Sequence, residues 1–134
     1  MRKKIISTAK GLVSPSPPAQ AVRAENFIYV SGKIPVDPAP MKVVSEDFSI
    51  QARTVLEYVQ GIVEAVGLSL NEVIKTTVFL TDMARFREIN EIYREFFPAD
   101  PPARTCIGVK ELPRNVQIEI ESIAVWREPF PAHG

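Results

Sequence analysis

Two stretches in the C-terminal third of the chain alternate apolar and polar residues with a period of two. One is Ala103-Arg104-Thr105-Cys106-Ile107-Gly108-Val109, the other Val116-Gln117-Ile118-Glu119-Ile120-Glu121. That spacing predicts half-buried β-strands. Leu112-Pro113-Arg114-Asn115 between them reads as a turn, which predicts an antiparallel hairpin. Closing it sets Gly108 opposite Glu119 and Cys106 opposite Glu121. Arg104, Cys106, Glu119, Glu121 and the space left by Gly108 then share one sheet face. The last strand is apolar on both faces, because Glu119 and Glu121 are in phase with Ile123 and Val125 while Ile118 and Ile120 are in phase with Ala124 and Trp126. A sheet with one wet face alternates more cleanly, so helices are expected on one side and another subunit on the other.

Earlier in the chain, Lys3 to Ser7 reads as a short edge strand. Gly11 to Ala21 holds Pro15, Pro17 and Pro18, which exclude helix and central strand and predict an extended loop. Phe27 to Gly32 is a strand with Tyr29 and Ser31 on one face and Ile28 and Val30 on the other. Pro35 to Pro40 is a turn-rich connection. A helix begins near Glu46 or Asp47, with Phe48, Ala52, Val55, Leu56, Val59, Ile62, Val63 and Val66 at helical spacing, and Gly67 ends it. Val73 to Leu80 is a strand. Asp82 caps a second helix whose buried stripe is Phe86, Ile89, Tyr93 and Phe96 or Phe97. The expected order is strand, strand, helix, strand, helix, strand, strand: an α+β layer with a mixed sheet and two helices on one face. No repeat or linker marks a second domain, so residues 1–134 read as one, with 1–20 an N-terminal strand and loop and 128–134 a loose tail.

Composition narrows the class. The 134 residues are 46% hydrophobic and 24% charged, ordinary for a folded domain. Sixteen Lys and Arg balance sixteen Asp and Glu, so no net basic field draws nucleic acid. One cysteine excludes an intramolecular disulfide and a cysteine-rich metal site. The basic start has no apolar signal-peptide core behind it, and no run approaches the roughly 20 apolar residues of a membrane span. The expectation is a cytoplasmic protein without a membrane partner.

The single histidine, His133, lies in the tail, so Ser-His and Cys-His nucleophile pairs and histidine metal sites are not expected. No phosphate-cradling glycine motif occurs. Chemistry is left to Arg, Glu, Ser, Tyr and Asn side chains and backbone groups, with Arg104, Glu119 and Ser31 among the candidates. Each has a plainer reading as well: Cys106 as a small buried hydrophobe, Ser31 as a strand-end hydroxyl bonded to backbone, Tyr93 and Phe96 as helix core, Glu119 or Glu121 as a solvated face.

Phe27-Ile28-Tyr29-Val30-Ser31-Gly32-Lys33-Ile34-Pro35, Val73-Ile74-Lys75-Thr76-Thr77-Val78-Phe79-Leu80 and Pro102-Ala103-Arg104-Thr105-Cys106-Ile107 together resemble the RidA/YjgF family, also known as translation-initiation inhibitors. Leu112 to Val125 extends the likeness, which runs from about Ala21 to Trp126. The resemblance implies a chorismate-mutase-like fold and a homotrimer with clefts between subunits. It also implies a 2-iminobutanoate/2-iminopropanoate deaminase that hydrolyses enamine/imine intermediates of the 2-aminoacrylate type to 2-oxo acids and ammonia, with no metal or organic cofactor. On the family pattern Arg104 grips the substrate carboxylate and Glu119 positions or activates water. Ser31 and Gly32 line the pocket, Cys106 lies beside the substrate and Asn90 borders the cleft. The chain departs from the pattern at Pro18, where the family commonly has a pocket tyrosine. Three other readings stay open: deamination of a related aminoacrylate in pyrimidine breakdown, RNA cleavage or translation inhibition, and a non-catalytic ligand-sensing or chaperone-like module. Zero net charge and the lack of a histidine base weigh against RNA cleavage.

Overall fold

The computed structural model describes residues 3–11 and 19–126. The expectations for Pro15, Pro17, Pro18, His133 and the 128–134 tail fall outside those residues. Six strands and two long helices follow one another as β1 (Lys3–Ile6), β2 (Ala21–Ala24), β3 (Phe27–Lys33), α1 (Phe48–Ala65), β4 (Val73–Leu80), α2 (Phe86–Phe96), β5 (Ala103–Gly108) and β6 (Ile118–Val125). The strands form one sheet in the order β1-β2-β3-β6-β4-β5. Only β4 and β5 are parallel; the other neighbours are antiparallel. The sheet is mixed and carries both helices on one face, the α+β layer that the periodicities predict.

α1 begins where Asp47 accepts a 3.0 Å hydrogen bond from the Ser49 amide, replacing a backbone partner that the first turn lacks. It ends in a Schellman motif. Gly67 takes φ +84°, its N–H donates to the Glu64 carbonyl and the Leu68 N–H to that of Val63. Val55, Leu56, Val59, Ile62 and Val63 are fully buried against Ile28, Val78, Leu80, Ile118 and Ile120 of the sheet. Burial of each such large side chain contributes roughly 1.5–3 kcal/mol.

Four expectations need correction. The loop expected over Gly11 to Ala21 gives way to β2 at Ala21, and Val22 to Ala24 had no element assigned; Ala21-Val22-Arg23-Ala24 is a poor strand former on propensity, and pairing on both edges makes it a strand. Asp82 caps a short 3₁₀ turn, Met83–Arg85, that leads into α2 rather than α2 itself. Phe86 stays 40% exposed, and Ile92 takes its place beside Ile89 and Tyr93 in the buried stripe. The largest change concerns the hairpin. β5 and β6 are not partners, because β4 lies between them.

The face away from the helices keeps Phe27, Tyr29 and Ile107 between 40% and 47% exposed. Lys33 has gone the other way. Val30 pairs with Ser122, but Lys33 rather than Gly32 pairs with Ile120, so β3 carries one extra residue at Ser31-Gly32. Such a bulge breaks strict alternation. Lys33 would otherwise follow Tyr29 and Ser31 to the open face; instead it turns inward and is 4% exposed.

Burial lowers the Lys33 ammonium from its ordinary 10.5 to about 8, because a charge out of water is disfavoured. A base whose pKa is lower folded than unfolded opposes folding most when both states are protonated, below about pH 8. The opposition fades as pH climbs from there toward 10.5. At 1.36 kcal/mol per pKa unit the burden is on the order of 3 kcal/mol. Lys33→Met is therefore expected to raise Tm by several degrees at pH 7, with the gain shrinking between pH 8 and pH 10.5. Calorimetry across that range checks it; a variant less stable at pH 7, or a gain that grows with pH, contradicts the assignment.

Candidate active site

β4 fixes the positions of the expected site residues. Thr76 faces Arg104 on one side and Ser122 on the other, and Val78 likewise faces Cys106 and Ile120. These residues share the helix-covered face. Thr77 faces Thr105 and Glu121, and Phe79 faces Ile107 and Glu119, all on the open face. Arg104 and Cys106 therefore stand on one side of the sheet and Glu119 and Glu121 on the other. The single-face cluster expected from a hairpin does not exist within one chain. Nor is the space beside Gly108 empty: a Cβ there would meet Met83 Cγ at 2.8 Å.

On the helix side, the Arg104 guanidinium lies 4.9 Å from the Tyr93 ring centroid and 5.5 Å from that of Phe86. Stacking of this kind holds the planar fork while leaving its N–H groups for a ligand. Tyr93 is fixed beneath it, with its hydroxyl 2.7 Å from Thr76 Oγ1 and its ring 4.7 Å from that of Phe97. Asn90, Tyr93, Arg94 and Phe97 of α2, the prolines of the next loop and Arg104 line an open cleft of about 460 Å³. Asn90 and Arg104 thus meet at one cleft, as the sequence implies. Arg94 is an addition, legible only as the residue four places after Asn90 on the same helix; Tyr93, read as helix core, also lines the cleft. Cys106 is half-buried; burial raises its thiol pKa, and the Arg104 charge opposes that only in part. The thiol stays protonated near neutral pH and is a poor nucleophile.

On the open face the bulge brings Ser31 and Gly32 beside Glu119. A Cβ on Gly32 would collide with Glu119 Oε2 and come within 2.9 Å of its carboxyl carbon, so the glycine lets the carboxylate lie against the β3 backbone in this position. Ser31 donates from its hydroxyl to the Ala19 carbonyl at 2.6 Å, so its oxygen can still accept. Burial first, then the charge of Glu121, raises the Glu119 pKa. Glu121 is the exposed member of the pair. It borders, with Tyr29, Ser31, Lys75, Thr77 and Ile123, a shallow pocket of about 290 Å³. No group of three or more potential metal ligands occurs among the described residues, and no described helix is long and apolar enough to cross a membrane.

Similar proteins give this arrangement a context. The family model described as endoribonuclease L-PSP matches residues 12–126. A RutC family protein of Pyrococcus horikoshii is 45% identical, over 91% of this chain and 97% of that one. The 2-iminobutanoate/2-iminopropanoate deaminase of Salmonella typhimurium is also 45% identical, over 92% and 98%. The crystal structure of Escherichia coli TdcF with bound serine superposes with a TM-score of 0.85 at 43% identity, covering 91% of this chain and 98% of TdcF. Fold, sequence motifs and relatives over nearly the whole length agree, and the chain belongs to the RidA/YjgF family.

Proposed function

We propose that the protein is an imine deaminase that hydrolyses small 2-imino acids, 2-iminopropanoate and 2-iminobutanoate among them, to 2-oxo acids and ammonia. We further propose that it works as a homotrimer with its sites between subunits. The observation that carries the reading is the pair of half-sites. A stacked, unpaired Arg104 stands on one sheet face and Glu119, with its raised pKa, on the other. One chain cannot bring both to one small molecule through its own sheet. Two copies can, if the open face of one meets the helix-side cleft of the next, and the exposed Phe27, Tyr29 and Ile107 favour such contact. The named deaminase relative and the serine-bound TdcF support a small amino- or imino-acid ligand.

In this mechanism Arg104 binds the substrate carboxylate through its fork, and Asn90 lies beside it. Protonation of the imine makes its carbon electrophilic. Glu119 accepts a proton from water as the oxygen attacks, and its charge stabilises the iminium cation. Glu119 then passes that proton to nitrogen and takes the adduct's hydroxyl proton as the C–N bond breaks, so the carbonyl of the 2-oxo acid forms and ammonia leaves. Ser31 offers an acceptor at the pocket wall, and Cys106 remains a neutral thiol. Neither a metal nor an organic cofactor is needed for these steps.

Ammonia release from freshly generated 2-iminopropanoate tests the activity. Arg104→Lys keeps the charge but loses the fork, and kcat/KM is expected to fall about ten- to a hundredfold, with a larger loss in Arg104→Ala. Near-wild-type turnover by folded Arg104→Ala would sink the reading. Shared sites make a separate prediction. Arg104→Ala and Glu119→Gln chains, each inactive alone, are expected to regain activity when unfolded together and refolded. Random assortment around a closed ring leaves about a quarter of the clefts intact. No recovery from a mixture that forms trimers would place both residues in one chain's site. Finally, kcat/KM should fall on acidification through a pKa above the usual carboxylate range, as Glu119 becomes protonated. Glu121→Gln removes the second cause of that elevation and is expected to move the acid limb to lower pH. A limb that stays in place, or moves upward, would remove Glu119 from the base role.

A further inference from the structure

The cleft on the helix side holds two cations. Arg94 lines it together with Arg104, four residues after Asn90 and hence on the same face of α2, one turn away. Neither arginine makes an ion pair among the described residues, where Arg53 pairs with Glu95 and Arg85 with Glu88. No carboxylate of the same chain lines the cleft among the described residues. Glu95, next to Arg94 in sequence, is held by both terminal nitrogens of Arg53, at 3.1 and 2.7 Å, and is turned toward α1. Two guanidinium groups around one opening repel each other until anions enter. The small imino acids invoked above carry one carboxylate, which satisfies Arg104 and leaves Arg94 unmatched. A cleft of about 460 Å³ has room for a second acidic group.

The geometry points to Arg94 as a specificity-determining residue that binds the distal carboxylate of a 2-imino dicarboxylic acid, with Arg104 on the carboxylate next to the imine. The inference rests on the deaminase reading for its chemistry, but the dicarboxylate site itself is open to measurement by binding alone. A planar fork on a helix face suits a terminal carboxylate, and Asn90 can donate its amide to the same ligand. The hydrolysis is unchanged; what changes is which imines are favoured.

2-Oxoglutarate and 2-oxopentanoate have the same carbon chain and differ in the distal carboxylate, so titration calorimetry with the two isolates that group. The wild-type protein is expected to bind 2-oxoglutarate about tenfold tighter or better, the worth of one good charged contact. Arg94→Ala is expected to bring the ratio of the two affinities close to one. Arg87→Ala removes a charge from the same helix outside the cleft and is expected to preserve the ratio. Equal affinities in the wild type, no binding of 2-oxoglutarate, a ratio that survives Arg94→Ala, or an equal loss in Arg87→Ala would each overturn the proposal. Ammonia release from the corresponding imines, generated in situ from glutamate and norvaline, separates the two readings. A diacid preference in binding with no ammonia from either imine would sink deamination and leave the dicarboxylate site standing. Ammonia from the monoacid imine with no diacid preference would do the reverse.

Discussion

β4 is paired along both edges, parallel to β5 and antiparallel to β6, and that double ladder decides where every chemically able side chain goes. Successive residues of a strand point to opposite faces, and residues directly across a ladder point to the same one. Once Thr76 faces Arg104 and Phe79 faces Glu119, guanidinium and carboxylate are separated by the thickness of the sheet. The same ladder brings Thr76 under Tyr93, whose ring carries the Arg104 guanidinium. Cleft and core thus depend on one set of backbone hydrogen bonds.

The secondary structure was legible wherever a local pattern was long enough. β4 occupies the residues its periodicity predicts, and α1 starts at its aspartate cap and ends at its glycine. The strand order was not legible. Two alternating segments joined by a Pro-Asn turn look like a hairpin, and nothing local announces that a strand from some thirty residues upstream will enter between them. Hence Arg104, Cys106 and Glu119 were singled out by their chemistry and Asn90 by the family likeness, while the face assigned to the carboxylates came out wrong. β2 and the inward turn of Lys33 were missed for a related reason: pairing, not propensity, creates both.

The two-sided apolar character of β6 was read correctly, and the exposed aromatic residues on the open face show its consequence in a single chain. Arg94 and Tyr93 add what no strand pattern could show: the second wall of the cleft is a helix, and its period decides which residues line it.

The extra residue at Ser31-Gly32 is a matter of count rather than of chemistry. Substitutions can alter what the bulge presents, but only an insertion or deletion can remove it. Losing one residue between Val30 and Lys33 would restore alternation with the lysine still across from Ile120, leave a single residue where Ser31 and Gly32 now stand, and so end the close approach of Gly32 to Glu119. The pairs on either side of the bulge would keep their register, so the sheet itself would survive. Sequence drift in this segment is therefore expected to proceed by changes of letter, while its length stays fixed.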